Sequence, residues 1–219
     1  MGNGIRLKVC GLKVCGLTSQ ADAAFAAEIG ADYLGFILYP KSPRYLPLAS
    51  FALLGPIVAG PLKVAVSVEP TVAELAAMNA AGFDRFQIHF RHELPPATVA
   101  SWAETVGADR LWLAPKLPPA ADFPAALLPL AGTILLDTFD AERFGGTGRT
   151  GDWEKFARHQ RAFPDKTWVL SGGLNPENVG EAIRRSGAKT IDVGSGVESA
   201  PGQKDHGKLR ALAQALRAL

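Results

Sequence analysis

One pattern constrains this chain more than any other. Short apolar runs recur eight times along 219 residues, and segments of helical period separate them. The runs are Lys13–Cys15, Tyr33–Ile37, Leu62–Val68, Asp84–His89, Leu111–Ala114, Ile134–Asp137, Thr167–Leu170 and Thr190–Val193. They are near-continuously apolar rather than alternating, so both faces of each strand need cover. That is the property of a parallel sheet flanked by helices. Thr18 is placed to cap a helix running to about Gly30, and Thr71 one running to Ala81. Further helices are expected over Phe51–Ala59, Thr98–Val106, Ala120–Leu130 (interrupted by proline), Trp153–Ala162 and from Asn175 to near Gly187. The last helix carries Leu209, Leu212, Leu216 and Leu219 on one stripe. Gly30, Gly82, Gly107 and Gly187 stand at helix ends, where a left-handed cap favours glycine. A doubly wound open sheet is the rival architecture, but it usually needs fewer strands. Eight β-α units predict an α/β protein, a single-domain (β/α)8 TIM barrel over residues 12–219. The segment Lys-Val-Cys-Gly-Leu occurs twice in tandem, at Lys8–Leu12 and Lys13–Leu17, so residues 1–11 are expected to form an N-terminal extension.

Several function classes are disfavoured at once. Lys and Arg number 23 against 21 Asp and Glu, too balanced for a nucleic-acid or polybasic membrane-surface protein. Two cysteines make neither a disulfide scaffold nor a Cys-rich zinc site. No apolar run is long enough to span a bilayer. The N-terminus lacks a signal-peptide core, and Arg6 stands where myristoylation wants Ser or Thr. A cytoplasmic location is therefore expected. No metal-ligand spacing and no Walker A loop are read, so neither a metal nor a nucleotide cofactor is expected.

In such a barrel the chemistry sits at the C-terminal ends of the strands. Those positions hold Cys15, Phe36, the loop Lys41–Arg44, Ser67, His89, Asp137, Ser171–Gly173 and Gly194–Gly196. The turns Gly172-Gly173 and Gly194-Ser195-Gly196 follow strands 7 and 8, where barrels commonly bind phosphate through backbone N–H groups. Glycine is expected there because a Cβ would block the anion's approach. A third Gly-rich stretch, Gly145–Gly148, follows strand 6. Cys15 is either a base or a small buried hydrophobe. Asp137 is either an acid with a raised pKa or a loop cap. Arg44 can clamp a carboxylate bidentately or sit solvated in its loop. His89 reads equally as an acid/base or phosphate contact and as a structural histidine. His92, His159 and His206 receive no role.

The ordered segments Lys13–Thr18, Gly30–Phe36, Ser42–Arg44, Leu135–Asp137, Gly145–Gly148, Ser171–Leu174 and Asp192–Glu198 resemble the phosphoribosylanthranilate isomerase family. The resemblance runs from about Leu12 to Leu219. It implies a (β/α)8 barrel without cofactor, working on a small phosphorylated substrate by an Amadori rearrangement in tryptophan biosynthesis. It assigns Asp137 as the acid that opens the aminoaldose ring and Cys15 as the base at C2. By the same similarity Arg44 holds the anthranilate carboxylate. Gly172, Gly173, Gly194, Ser195 and Gly196 hold the phosphate, and Gln87, His89 and Gly146 join the substrate site. Phe90 replaces the family's usual glycine after the histidine and is expected to reshape that edge of the pocket, and Ala114-Pro115-Lys116 is also atypical. Two alternatives stand beside this reading. Indole-glycerol-phosphate synthase would bring a catalytic lysine and glutamate, and strand 2 ends here in Phe36-Ile37. A non-catalytic phosphosugar-binding barrel would have no reason to keep both Cys15 and Asp137.

Overall fold

The computed structural model describes residues 11–54, 60–138 and 151–219. Eight parallel strands close into a barrel in sequence order. They are β1 Gly11–Cys15, β2 Tyr33–Ile37, β3 Leu62–Val68, β4 Arg85–Arg91, β5 Leu111–Lys116, β6 Thr133–Leu136, β7 Thr167–Leu170 and β8 Thr190–Val193. The helices between and after them are α1 Gln20–Glu28, α2 Leu48–Leu53, α3 Val72–Ala80, α4 Pro96–Val106, α5 Trp153–Ala162, α6 Val179–Ser186 and α7 His206–Arg217. The β1–β8 seam pairs Leu12 with Ile191 and Lys13 with Asp192. A small antiparallel hairpin, β9 Glu198–Ala200 and β10 Gln203–Lys204, projects after β8.

Alternation along each strand divides the core in two. Leu12, Val14, Leu34, Phe36, Phe86, Ile88, Ile191 and Val193 join one large cluster with the helices. The intervening residues fill the barrel itself: Cys15, Val64 and Val66 form one cluster, and Trp112, Ala114, Leu135 and Val169 another. Burying the apolar outer stripe is worth roughly 25 cal/mol per Å² removed from water, which is why helix faces rather than propensity fix these elements. The same alternation puts Lys13 on the inner face, where it is fully buried.

Three expected elements differ. Ser19, not Thr18, caps α1, accepting from the Asp22 N–H, while the Thr18 hydroxyl donates to the Gly202 carbonyl. The second helix begins earlier, at Leu48 after Pro47, and runs to Leu53, while residues 55–59 of the expected helix lie outside the described residues. The segment after β5 is not an α-helix but a 3₁₀ turn over Ala125–Leu130, as its internal Pro129 dictates. Thr71 forms the expected cap, here a full capping box with Glu74. The helix-end glycines Gly30, Gly82, Gly107 and Gly187 all take positive φ. Two of them lead into an aspartate that stitches the bottom of the barrel. Asp32 accepts the Leu12 N–H and Asp84 the Lys63 N–H, each at 2.8 Å.

Candidate active site

A cavity of about 480 Å³ opens at the C-terminal ends of the strands. Cys15, Arg44, Gln87, His89, Asp137, Gly172, Gly173, Gly194, Ser195 and Gly196 all line it, so the described site residues expected from sequence converge on one place. Gly146 and Cys10 lie outside the described residues. Two expectations are corrected. Phe36 faces the helices, packed edge-on against Phe51 with ring centroids 5.0 Å apart. Phe90 is also fully buried on the outer side, against Trp102 of α4 at 5.6 Å, and does not line the cavity. The reason is the two-residue period of β4: if Gln87 and His89 point inward, Phe90 points out.

Asp137 follows β6 directly. Burial pushes its carboxyl up to about 6, and the charge of Asp192 works in the same direction. The Thr138 N–H, donating to Oδ1 at 2.7 Å, and the Lys13 ammonium oppose that rise. Gly172 takes φ +97°, and a Cβ there would lie 3.1 Å from the Asp137 Oδ1 and 2.8 Å from the Thr138 nitrogen. Its lack of a side chain is what lets the β7 turn lie against the acid.

Cys15 ends β1. Burial pushes its thiol up, and Asp192 adds to this, while the Lys13 ammonium beside it pulls the other way. Lys13 donates to Asp192 Oδ1 at 2.9 Å, and its ammonium sits beside the Cys15 sulfur. Across from them, a Cβ on Gly35 would stand 3.0 Å from both the Cys15 Sγ and the Lys13 Nζ, so Gly35 makes room for the pair.

His89 is pushed down to about 3, first by burial and then by the charge of Lys13, and is neutral at physiological pH. Its Nε2 lies 2.8 Å from the Gln87 Nε2, with the amide donating and the ring proton therefore on Nδ1. Among the described residues the buried Gln87 Oε1 has no hydrogen-bond partner, a polar atom that a ligand or water group would satisfy. Arg44 reaches the cavity from the loop before α2. Its Nε donates to Glu198 Oε1 at 2.9 Å and its Nη2 to Oε2 at 2.7 Å. Glu198 also accepts from Lys204 at 2.8 Å, and Lys204 donates to the Gly194 carbonyl at 3.2 Å. Burial acts against the Glu198 charge, but the Arg44 and Lys204 contacts hold its carboxyl below the ordinary range.

The two turns after β7 and β8 are built differently. Gly172 and Gly173 both adopt positive φ, and Asn178 donates to the Gly173 carbonyl at 2.9 Å, fixing that peptide. Gly196 instead lies against the backbone of the β7 turn: a Cβ there would run into the Leu174 carbonyl and stand 3.0 Å from the Asn175 Cβ. Its glycine is required first by contact between the two turns, not by room for an anion as the sequence reading expected.

Lys13, Asp192 and Glu198 were missed as site residues. Lys13 and Asp192 each carried a signal, a charge in a strand otherwise apolar on both faces, which must be paired to be buried. The chain also carries the spacing Gly146-x-Gly148-x-x-Gly151. Gly146 stands ten positions beyond Leu136, the end of β6, whereas a dinucleotide fingerprint turns directly from strand to helix. Among the described residues no group of three or more His, Cys, Asp or Glu is placed to hold a metal ion, and no helix is long and apolar enough to cross a membrane.

Comparison with known proteins gives one consistent answer. The model of the N-(5'phosphoribosyl)anthranilate (PRA) isomerase family matches residues 12–215. An N-(5'-phosphoribosyl)anthranilate isomerase of Magnetococcus marinus is 37% identical over 209 residues, 94% of each chain. One of Zymomonas mobilis is 36% identical over 211 residues, 94% of this chain and 98% of the other. A crystal structure of phosphoribosyl anthranilate isomerase in complex with reduced 1-(o-carboxyphenylamino)-1-deoxyribulose 5-phosphate superposes with a TM-score of 0.78. It is 32% identical, over 95% of this chain and 99% of that one. With a closed eight-strand barrel, convergent strand-end residues and a family match across nearly the whole sequence, this chain belongs to the N-(5'-phosphoribosyl)anthranilate isomerase family.

Proposed function

We infer that this chain isomerises N-(5-phosphoribosyl)anthranilate, an aminoaldose, to the ketose 1-(2-carboxyphenylamino)-1-deoxyribulose 5-phosphate in tryptophan biosynthesis. The observation that carries the reading is one cavity holding a carboxyl raised to about 6 together with a thiol beside an ammonium. Asp137 gives its proton to the ring oxygen as the C1–O bond breaks and the anilino nitrogen supplies its lone pair to form the iminium. The C2 proton is now acidic. Cys15 takes it as thiolate, and the C–H electrons form the C1–C2 double bond of an enolamine, which tautomerises to the ketone. Each proton transfer asks for a group positioned at a strand end and tuned by its surroundings. Arg44 binds the anthranilate carboxylate, and Glu198 sets its guanidinium plane. Gly172, Gly173, Gly194, Ser195 and Gly196 receive the phosphate, Gln87 and neutral His89 line the sugar, and the family resemblance assigns Gly146 to the same substrate. A reduced thiol as base fits a cytoplasmic enzyme. Residues 1–10, which hold Lys8–Cys10 of the first Lys-Val-Cys-Gly-Leu copy, are an addition to the barrel, while Gly11 and Leu12 of that copy belong to β1.

Freshly generated phosphoribosylanthranilate should lose its anthranilate-type fluorescence when the protein is added. A rate no faster than the buffer control would remove this activity, whatever the fold. A second measurement addresses Arg44. Glu198→Gln breaks a buried charge network and should lower stability by about 3 kcal/mol. It should also raise KM by at least about tenfold while kcat changes less, since ground-state positioning is what is lost. An unchanged KM in the folded variant would show that Arg44 does not hold the carboxylate.

A further inference from the structure

We infer that Lys13, held in place by Asp192, is the positioning residue that charges and orients the Cys15 sulfur. This rests on the proposed role of Cys15 as base and names what makes the role workable. The physical difficulty is plain: a thiol inside a barrel is poorly solvated, and burial favours its neutral form. A base at this place needs a cation at close range.

The groups facing the sulfur are few enough to weigh. From its own strand comes Lys13, two residues away on the same inner face, fully buried, its ammonium and the sulfur each 3.0 Å from where a Cβ on Gly35 would stand. From β8 comes Asp192, whose charge opposes ionisation of the thiol. From β10 comes Lys204, whose influence is weaker and whose ammonium is already committed to Glu198 at 2.8 Å and the Gly194 carbonyl. Arg44 interacts with Cys15 from the rim, its guanidinium forked onto Glu198. Asp137 and His89 interact with Lys13 from β6 and β4, and His89 is neutral. Lys13 is therefore the cation that can answer a charge on sulfur.

The arrangement of Lys13 agrees with that task. An ammonium alone in a barrel interior would lose its proton to escape the desolvation cost. Asp192 prevents this: the 2.9 Å bond keeps Lys13 protonated, its pKa raised rather than lowered despite complete burial. The lysine has donors beyond the one given to Asp192, and the sulfur lies beside it. Gly35 leaves the space that both atoms occupy. During the reaction Lys13 keeps its proton throughout, and Cys15 alone gains the one leaving C2.

The two halves of the ion pair should act on the thiol in opposite directions, which no purely structural role produces. The test titrates the thiolate by its ultraviolet absorbance in a Cys10→Ala background, with the Cys10→Ala/Cys15→Ala protein subtracted. Lys13→Met removes the cation and should move the Cys15 midpoint to higher pH, lowering kcat/KM at neutral pH by at least about tenfold. Asp192→Asn, nearly isosteric, removes the opposing charge and leaves the Cys15 thiolate itself as the counter-ion that keeps Lys13 protonated, so the midpoint should move to lower pH. Midpoints unmoved, or moved the same way in both variants, overturn the inference. If Lys13→Met does not fold, Asp192→Asn decides alone: a midpoint that stays or rises overturns it. The titration needs no turnover. Shifted midpoints with full activity in Cys15→Ala would sustain the electrostatic assignment while removing the base role.

Discussion

Replacing Asp137 by Asn is expected to lower kcat/KM for phosphoribosylanthranilate by about 10²–10⁴-fold at pH 7, the range general acid catalysis supplies. Asn keeps the shape of the side chain and a carbonyl oxygen for the Thr138 N–H, so binding should change little. The pH dependence of the loss is more telling than its size. On the proposed mechanism the reactive form of the site carries a proton on Asp137 and none on Cys15. Yet the carboxyl titrates at about 6, and burial lifts the thiol above its ordinary value. The reactive form is thus the less populated way of placing one proton between two groups. The wild-type rate then climbs through the lower midpoint, near 6, and falls beyond the upper one. In Asp137→Asn the lower midpoint is gone, and residual activity climbs until the thiol itself ionises. The ratio of variant to wild type should be flat below about pH 6 and rise by up to about tenfold per unit above it. Ionisation of the substrate's phosphate affects both proteins alike and cancels in that ratio. A ratio independent of pH across this range would show that Asp137 is not the group titrating in catalysis.

Cys15→Ala should be as damaging, by about 10²–10⁴-fold in kcat, because it removes the group proposed to take the C2 proton. Cys15→Ser should recover little, since a hydroxyl ionises far less readily than a thiol. The comparison with Cys10→Ala matters because the two cysteines lie in identical five-residue copies. Five is an odd offset, so in one continuous strand the two would face opposite sides. β1 in the structure takes Lys13–Cys15 of the second copy, preceded by Gly11 and Leu12 of the first, with Lys13 opposite Tyr33 and Cys15 opposite Gly35. Cys10→Ala should therefore retain activity within about threefold. Loss in Cys10→Ala with retention in Cys15→Ala would mean that the working chain uses the first copy as its strand.

The strands were legible because their composition is extreme, and the helix-end glycines because a left-handed turn excludes most other residues. Elements whose making depends on tertiary context were read less well. Ser19 and Thr18 are both competent caps, and only the demand of the Gly202 carbonyl for the Thr18 hydroxyl separates them. At the site, residues at strand ends were found because the barrel dictates where chemistry sits. Lys13 and Asp192 lie below the rim and were passed over, although a charge inside an apolar strand is itself a signal. Glu198 stands in a hairpin whose folding back onto Arg44 nothing in the local pattern shows. Phe90 was misjudged because its neighbour His89 faces the cavity and strand parity was not applied.

The seam where β1 meets β8 also has a meaning in time. Lys13 and Asp192 are 179 positions apart in the chain. At ordinary synthesis rates of about 5–20 residues per second, roughly 10–40 s pass between the making of one and of the other. For that interval β1 has an open edge with no β8 to cover it, and Lys13 has no counter-ion. An apolar strand edge exposed for so long invites pairing with another nascent chain, and an inward-pointing lysine is one of the devices that discourage it. The buried charge at the centre of the finished site thus also guards the unfinished barrel, and the guard is neutralised only when the last strand arrives.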